Sequence, residues 1–248
     1  MRSKESYQLK LKEIKIDLMI LKRIVKIGIP AGIQSTMYSI SNIVLQTSIN
    51  TFGTNTIASW AVYVKIDALF WMIMGAFGAS ITTFVGQNYG AGKMTRVKRG
   101  VNVCLGITVL ITFLLCTVLY LFGGYVYLLF TTDAAVIAKG MEILYFLVPT
   151  FILYICIEIF SGALRGVGDC WIPMIMTALG VCTLRVVWII IAVPIRPSII
   201  TVIFSYPLTW GITTVLFIIY YYCFSALKKF NVPLLRLRRK RRRRLEDQ

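Results

Sequence analysis

The sequence contains no histidine, which removes the commonest general base, the commonest metal ligand and the usual neutral-pH switch. Acidic residues are scarce: 10 Asp and Glu stand against 27 Lys and Arg in 248 residues. Proton chemistry must therefore use a few carboxylates or groups from outside. The six cysteines, Cys104, Cys116, Cys156, Cys170, Cys182 and Cys223, include no C-x-x-C pair and mostly fall inside apolar runs. They read as small hydrophobes, with no zinc or redox site and no metal expected. Paired carboxylates, a His cluster and a nucleophile motif are all missing, so no catalytic residue and no enzyme are expected. A phosphate loop is excluded by spacing. Gly92-Lys93 has the right adjacency, but Gln87 stands where Walker A needs its first Gly and Met94 where it needs Ser or Thr. No apolar run ending in a small-residue cleavage site follows the basic N-terminus directly, so no cleaved signal peptide is expected.

What is present is hydrophobicity. Apolar residues make up 58% of the chain and the mean hydropathy is positive, well above the globular norm, which indicates an all-α integral membrane protein. Apolar runs predict a bundle of six transmembrane helices at about 27–50, 57–85, 101–122, 141–162, 171–193 and 199–224. Residues 1–26 mix eight Lys and Arg with Leu, Ile and Met; they suit a basic interfacial helix on anionic lipid or a linker from an upstream lobe. Residues 227–248 form a polybasic tail. Because it directly follows a span, lipid anchoring is expected of it and no nucleic acid partner.

The stretch between the second and third runs organises the chain. Gly86-Gln-Asn-Tyr-Gly-Ala-Gly-Lys93 and Arg96 combine glycines at 86, 90 and 92 with a dense basic cluster, the composition of a sharp reversal held at a charged membrane face. Six spans bring both termini to one side. That side carries eight N-terminal cations, four after the reversal, Arg165 and ten from Lys228 to Arg244, against Lys139 and Arg196 opposite. The positive-inside rule then places both termini in the cytoplasm.

Polar residues inside the spans are the functional candidates. In the first span Gln34, Tyr38, Ser41 and Asn42 fall within about 100° of arc, which suits either helix packing or the lining of a hydrated cavity. Lys65 and Asp67 lie about 12–15 Å into the second span by helical rise, where a charge is costly unless paired or wet. Arg185 lies at similar depth in the fifth span, so Asp67 is expected to pair with Lys65 or Arg185. Glu158 lies near the end of the fourth span, Pro149 predicts a kink in that span, and Thr131-Thr132-Asp133 predicts a helix N-cap before it. Pro30 is expected in the first turn of the first span, where it costs little.

The order and spacing of Lys26-Ile-Gly-Ile-Pro30, the Gly86–Lys93 stretch with Arg96, Leu129-Phe130-Thr131-Thr132-Asp133, and Gly162-Ala-Leu-Arg-Gly-Val-Gly-Asp169 with Pro173 resemble the C-terminal half of multidrug and toxic compound extrusion (MATE) transporters. Their superfamily includes lipid and oligosaccharide flippases. The resemblance implies one six-helix lobe of a two-lobe secondary-active exporter of cationic or amphipathic compounds, in a bacterial-type cytoplasmic membrane. It implies sodium or proton antiport without a further cofactor. It also implies a missing N-terminal bundle or a second copy as partner, besides membrane lipid and the small-molecule substrate. Glu158 matches a family carboxylate best, with Asp67 the alternative; the first span lacks an acidic residue. Gly86, Gln87, Gly90, Gly92, Lys93, Arg96, Arg165, Gly166 and Gly168 match the family's turn motifs. A non-transporting fragment or membrane scaffold, and a flippase for lipid-linked precursors, remain open on the sequence.

Overall fold

The computed structural model describes residues 17–224, apart from the side chains of Arg23 and Phe224. The expectations for residues 1–16 and for the polybasic tail lie outside the described residues. Six long helical segments follow one another: α1 (Leu18–Asn50), α2 (Thr54–Gly90), α3 (Met94–Leu128), α4 (Ala134–Gly166), α5 (Trp171–Ile195) and α6 (Ile199–Cys223). α2 to α6 are long and apolar enough to cross a membrane; α1 is long enough but more polar. α1 starts earlier than the apolar run because the Asp17 carboxylate caps it, accepting from the Met19 and Ile20 amides at 2.8 and 3.2 Å. Residues 18–26 are therefore continuous with the first span, and Pro30 lies well inside the helix rather than in its first turn. Asp133 caps α4 as the Thr-Thr-Asp signal predicts, accepting from the Ala135 amide at 2.8 Å.

Three helices are broken within the bundle. A 3-10 turn at Val148–Thr150 contains Pro149, a π-helical turn spans Ala178–Thr183, and α6 breaks at Phe204, three residues before Pro207. Proline removes one amide donor and strains the preceding turn, and in hydrocarbon the backbone groups left at a break need partners inside the protein. Side chains supply bonds around both proline breaks. Thr150 Oγ1 donates to the Leu147 carbonyl at 2.6 Å, Cys116 Sγ to Val148 at 3.2 Å and Ser205 Oγ to Val202 at 2.7 Å.

The core lies where α2 meets α4. Ser59 Oγ donates to the Val136 carbonyl at 2.7 Å near one end, and Thr82 Oγ1 to the Gly162 carbonyl at 3.0 Å near the other. Between them the Phe70 and Phe151 rings stack at 4.1 Å. A Cβ at Gly166 would stand 2.7 Å from the Thr82 carbonyl oxygen and 2.9 Å from the Val85 side chain, so backbone approach here requires glycine. Gly166→Ala is expected to cost about 1–3 kcal/mol by forcing the helices apart. Gly90→Ala, whose Cβ would meet nothing within 4 Å, should change stability by less than about 1 kcal/mol. Thermal unfolding of both variants in detergent checks the pair, and equal melting temperatures would contradict the contact.

Candidate functional site

A cavity of about 750 Å3 opens between α1 and α2, in the half of the bundle near the loop that joins them. On α2, Trp60, Val64, Asp67 and Trp71 recur every three to four residues and so share the face that lines it. α1 contributes Tyr38, Asn42, Leu45 and Gln46; Tyr154, Arg185 and Tyr206 enter from α4, α5 and α6. Five of the thirteen lining residues are aromatic: Tyr38, Trp60, Trp71, Tyr154 and Tyr206. Trp71 meets Tyr154 edge-on at 4.8 Å, and Tyr154 and Tyr206 lie 5.4 and 5.1 Å from Trp210.

Two opposite charges line this cavity without forming an ion pair. Asp67 Oδ2 accepts from Trp71 Nε1 at 2.7 Å, one turn along the helix, while Oδ1 is buried with no hydrogen-bond partner. The Tyr63 hydroxyl, one turn back on α2, lies near this carboxylate without meeting hydrogen-bond geometry at Oδ1, and Arg185 acts on it by charge. Arg185 is only 2% exposed. Its guanidinium carbon lies 4.1 Å from the Tyr206 ring centroid, Nη1 donates to Asn42 Oδ1 at 3.3 Å, and Nε is buried without a partner. The expected pairing of Asp67 with Lys65 or Arg185 is therefore corrected. Residues two apart on a helix point in nearly opposite directions, and the Lys65 ammonium sits over the Phe130 ring at 5.1 Å instead. Arg185 is held by an aromatic face and an amide in place of a carboxylate.

Glu158 lies outside the cavity walls but is linked to them. Tyr38 Oη is 3.5 Å from Tyr154 Oη, which donates to Glu158 Oε2 at 3.3 Å, and Arg165 Nη2 donates to Glu158 Oε1 at 3.1 Å. Arg165 also donates to Ser161 Oγ at 3.0 Å. The carboxylate lies across bare backbone, since a Cβ at Gly78 would fall 2.1 Å from Glu158 Oε1. Tyr38, Asn42, Asp67 and Arg185 thus share one cavity, Glu158 joins it through Tyr154, and Gln34 is half-buried away from it. Sequence reading missed Trp71, although its four-residue spacing from Asp67 is a usable signal. It also missed Tyr154 and Tyr206, which carry no such local signal.

The turn motifs prove to be two copies of one capping device. At Gly92 (φ 70°), the Gly92 amide donates to the Tyr89 carbonyl and the Lys93 amide to Asn88, at 3.0 and 2.8 Å. At Gly168 (φ 87°), the Gly168 amide donates to Arg165 and the Asp169 amide to Leu164, both at 3.0 Å. Each is a Schellman motif, whose left-handed position favours glycine. Gly90 closes α2, Lys93 precedes α3, and Gly86 faces the Gly166 carbonyl, 3.3 Å from where its Cβ would be. Gln87 and Arg96 border a separate groove on α2 and α3.

The chain is thus a helical membrane bundle with a cavity that carries one aspartate and one arginine. Residues 30–191 match the MatE family, and the chain belongs to it. It is 22% identical over 209 residues to the probable multidrug resistance protein YoeA of Bacillus subtilis, covering 84% of this chain and 45% of that protein. It is 29% identical over 160 residues to the probable multidrug resistance protein NorM of Aromatoleum aromaticum, covering 64% of this chain and 34% of that one. The chain therefore spans less than half the length of these curated relatives. The fold superposes on a MATE protein solved in complex with MaL6 with a TM-score of 0.80 at 20% identity, over 89% of this chain and 50% of that one.

The Glu158–Arg165 pair gives a test of the linked polar chain. Side-chain exposures of 17% and 26% mean that solvent screens part of the interaction, so Arg165→Met should cost about 1–2 kcal/mol. Adding Glu158→Gln to that variant should recover part of the loss, because the stranded charge is removed. Melting temperatures of the two single variants and the double variant in detergent measure the coupling.

Proposed function

We propose that the chain is one lobe of a secondary-active exporter that binds cationic or amphipathic compounds in the cavity between α1 and α2, without chemistry on the substrate. The observation that carries this reading is the buried, unpartnered Oδ1 of Asp67 in a cavity lined in part by aromatic rings. A buried anion without a full set of partners is costly, and a lipophilic cation lying against Trp60 and Trp71 would be held by their ring faces and by the carboxylate. The names of the relatives, multidrug resistance proteins, favour the same substrate class. One arginine and one aspartate face the cavity, which is less cationic than a flippase for lipid-linked phosphates would need.

Export is driven by exchange against sodium or protons. Glu158 is the candidate coupling group, since the Tyr154 and Tyr38 hydroxyls connect it to the cavity. The membrane is the bacterial cytoplasmic one, with both termini inside by the distribution of basic residues.

A second bundle completes the site. Gly28, Gly32, Ser35, Ser39 and Asn42 are exposed on α1, with Gln46 half-buried, and they fall within about 80° of arc at 3.6 residues per turn. A small and polar stripe of this kind is unsuited to lipid and suited to close helix contact or water. It is covered by an upstream six-helix bundle or by a second copy of the chain.

Two measurements test the proposal. Tetraphenylphosphonium binding to the full chain in nanodiscs should weaken about tenfold in Asp67→Asn, roughly the 1.4 kcal/mol of one charge contact, with the melting temperature retained; unchanged binding would remove Asp67 from the site. Light scattering combined with dye efflux from proteoliposomes distinguishes the partners. A dimer that extrudes dye down an imposed sodium or proton gradient works by self-pairing, whereas an inactive monomer requires a different second bundle.

A further inference from the structure

Away from the cavity, α2 and α3 leave a groove of about 600 Å3 on the outer face of the bundle, at the end where Gly92 joins them. Its lower part is apolar, with Phe77, Ile81 and Phe84 from α2 and Val103 and Ile107 from α3. Phe84, Val103 and Ile107 are 39, 51 and 45% exposed, so these side chains face lipid. Gly100 shapes the groove, because a Cβ there would stand 2.1 Å from the Phe84 ring; the ring settles against bare backbone where a larger residue would push it outward.

The upper rim is polar and positive. Arg96 and Arg99 are exposed, neither is in an ion pair or side-chain hydrogen bond among the described residues, and Gln87 and Asn88 stand beside them. Asn88 already donates its amide to the Phe84 carbonyl at 2.8 Å, and the two guanidinium groups are the charged donors at this rim. These arginines occupy the first turns of α3, where no acidic residue accompanies them and where the helix dipole favours anions over cations. From Arg99 to Ile107 the groove descends about 12 Å along α3. Two cations at the membrane surface above an apolar channel match a phosphate with an acyl chain beneath it.

We propose that this groove is a binding site for an anionic phospholipid, with the phosphate between Arg96 and Arg99 and an acyl chain along Phe84, Val103 and Ile107. A zwitterionic lipid is disfavoured, because its ammonium group would share the rim with two guanidinium groups. The site lies on the lipid face of α2 and α3, so its occupant acts from outside the substrate cavity.

The test is lipid retention by the delipidated full chain, titrated with phosphatidylglycerol or phosphatidylcholine and read by native mass spectrometry. The wild type should retain one phosphatidylglycerol with a preference of about twenty-five-fold, on the basis of about fivefold for each of the two arginines near a membrane surface. Arg96→Gln/Arg99→Gln should bring the preference close to unity, and Lys228→Gln/Lys229→Gln should leave it intact. Val103→Trp keeps the rim but fills the channel and should lower retention as well. All three variants should melt as the wild type does. Equal retention of the two lipids by the wild type, or a preference that survives loss of both arginines, would overturn the proposal. Displacement of the lipid by glycerol phosphate at equal concentration, or full retention in Val103→Trp, would reduce the feature to an anion site and overturn it equally.

Discussion

The close approach of α2 and α4 sets the geometry of everything else in the bundle. Helices in a bilayer gain little from excluding water between them, so they associate through backbone proximity and a few hydrogen bonds. Gly78, Gly162 and Gly166 remove the side chains that would hold these two apart, and the Thr82 hydroxyl bridges the seam to the Gly162 carbonyl. Once α4 lies in this register, Glu158 crosses the bare backbone at Gly78 and Tyr154 meets Trp71 beside the cavity. The site is thus a product of where two helices lack side chains.

Each charge within the bundle meets the low dielectric in its own way. Glu158 is neutralised by Arg165 and hydrogen-bonded by Tyr154. Lys65 leans its ammonium on the Phe130 ring at the α1–α2 loop end, the snorkelling expected of a long cationic side chain. Arg185 and Asp67 share a cavity, and each retains one atom without a hydrogen bond. Asp67 and Arg185 thus keep unused hydrogen-bonding capacity for a bound compound, whereas Glu158 would take up a coupling ion only by exchanging it for the contact with Arg165. On that basis the cavity is the place where a ligand would gain the most.

Much of the fold was legible in the sequence, because hydrophobic length is read directly from a bilayer's thickness. The five apolar segments α2 to α6, the Asp133 cap and the break at Pro149 all follow from such local rules. The start of α1 was misplaced because the Asp17 cap lies upstream of the apolar run, among basic residues that resemble an interfacial segment. In the site, Tyr38, Asn42, Asp67 and Arg185 stood out as polar residues in apolar surroundings, and they do converge. Their partners could not be assigned from spacing along separate helices. The Arg185–Tyr206 stack and the Tyr154–Glu158 link depend on how α4, α5 and α6 are rotated about their axes, which hydropathy does not encode.

That rotation is governed by the helix breaks. Tyr154 follows the 3-10 turn at Val148–Thr150, Arg185 follows the π-helical turn at Ala178–Thr183, and Tyr206 follows the break at Phe204. A π-helical turn accommodates one extra residue, so rewinding it as regular α-helix would turn the remainder of α5 by about 100° about its axis. Arg185 would then leave the cavity while Asp67, on unbroken α2, stayed. The electrostatic sign that a ligand meets is therefore a property of helix winding as well as of composition, and a single local change of pitch could convert a balanced cavity into an anionic one.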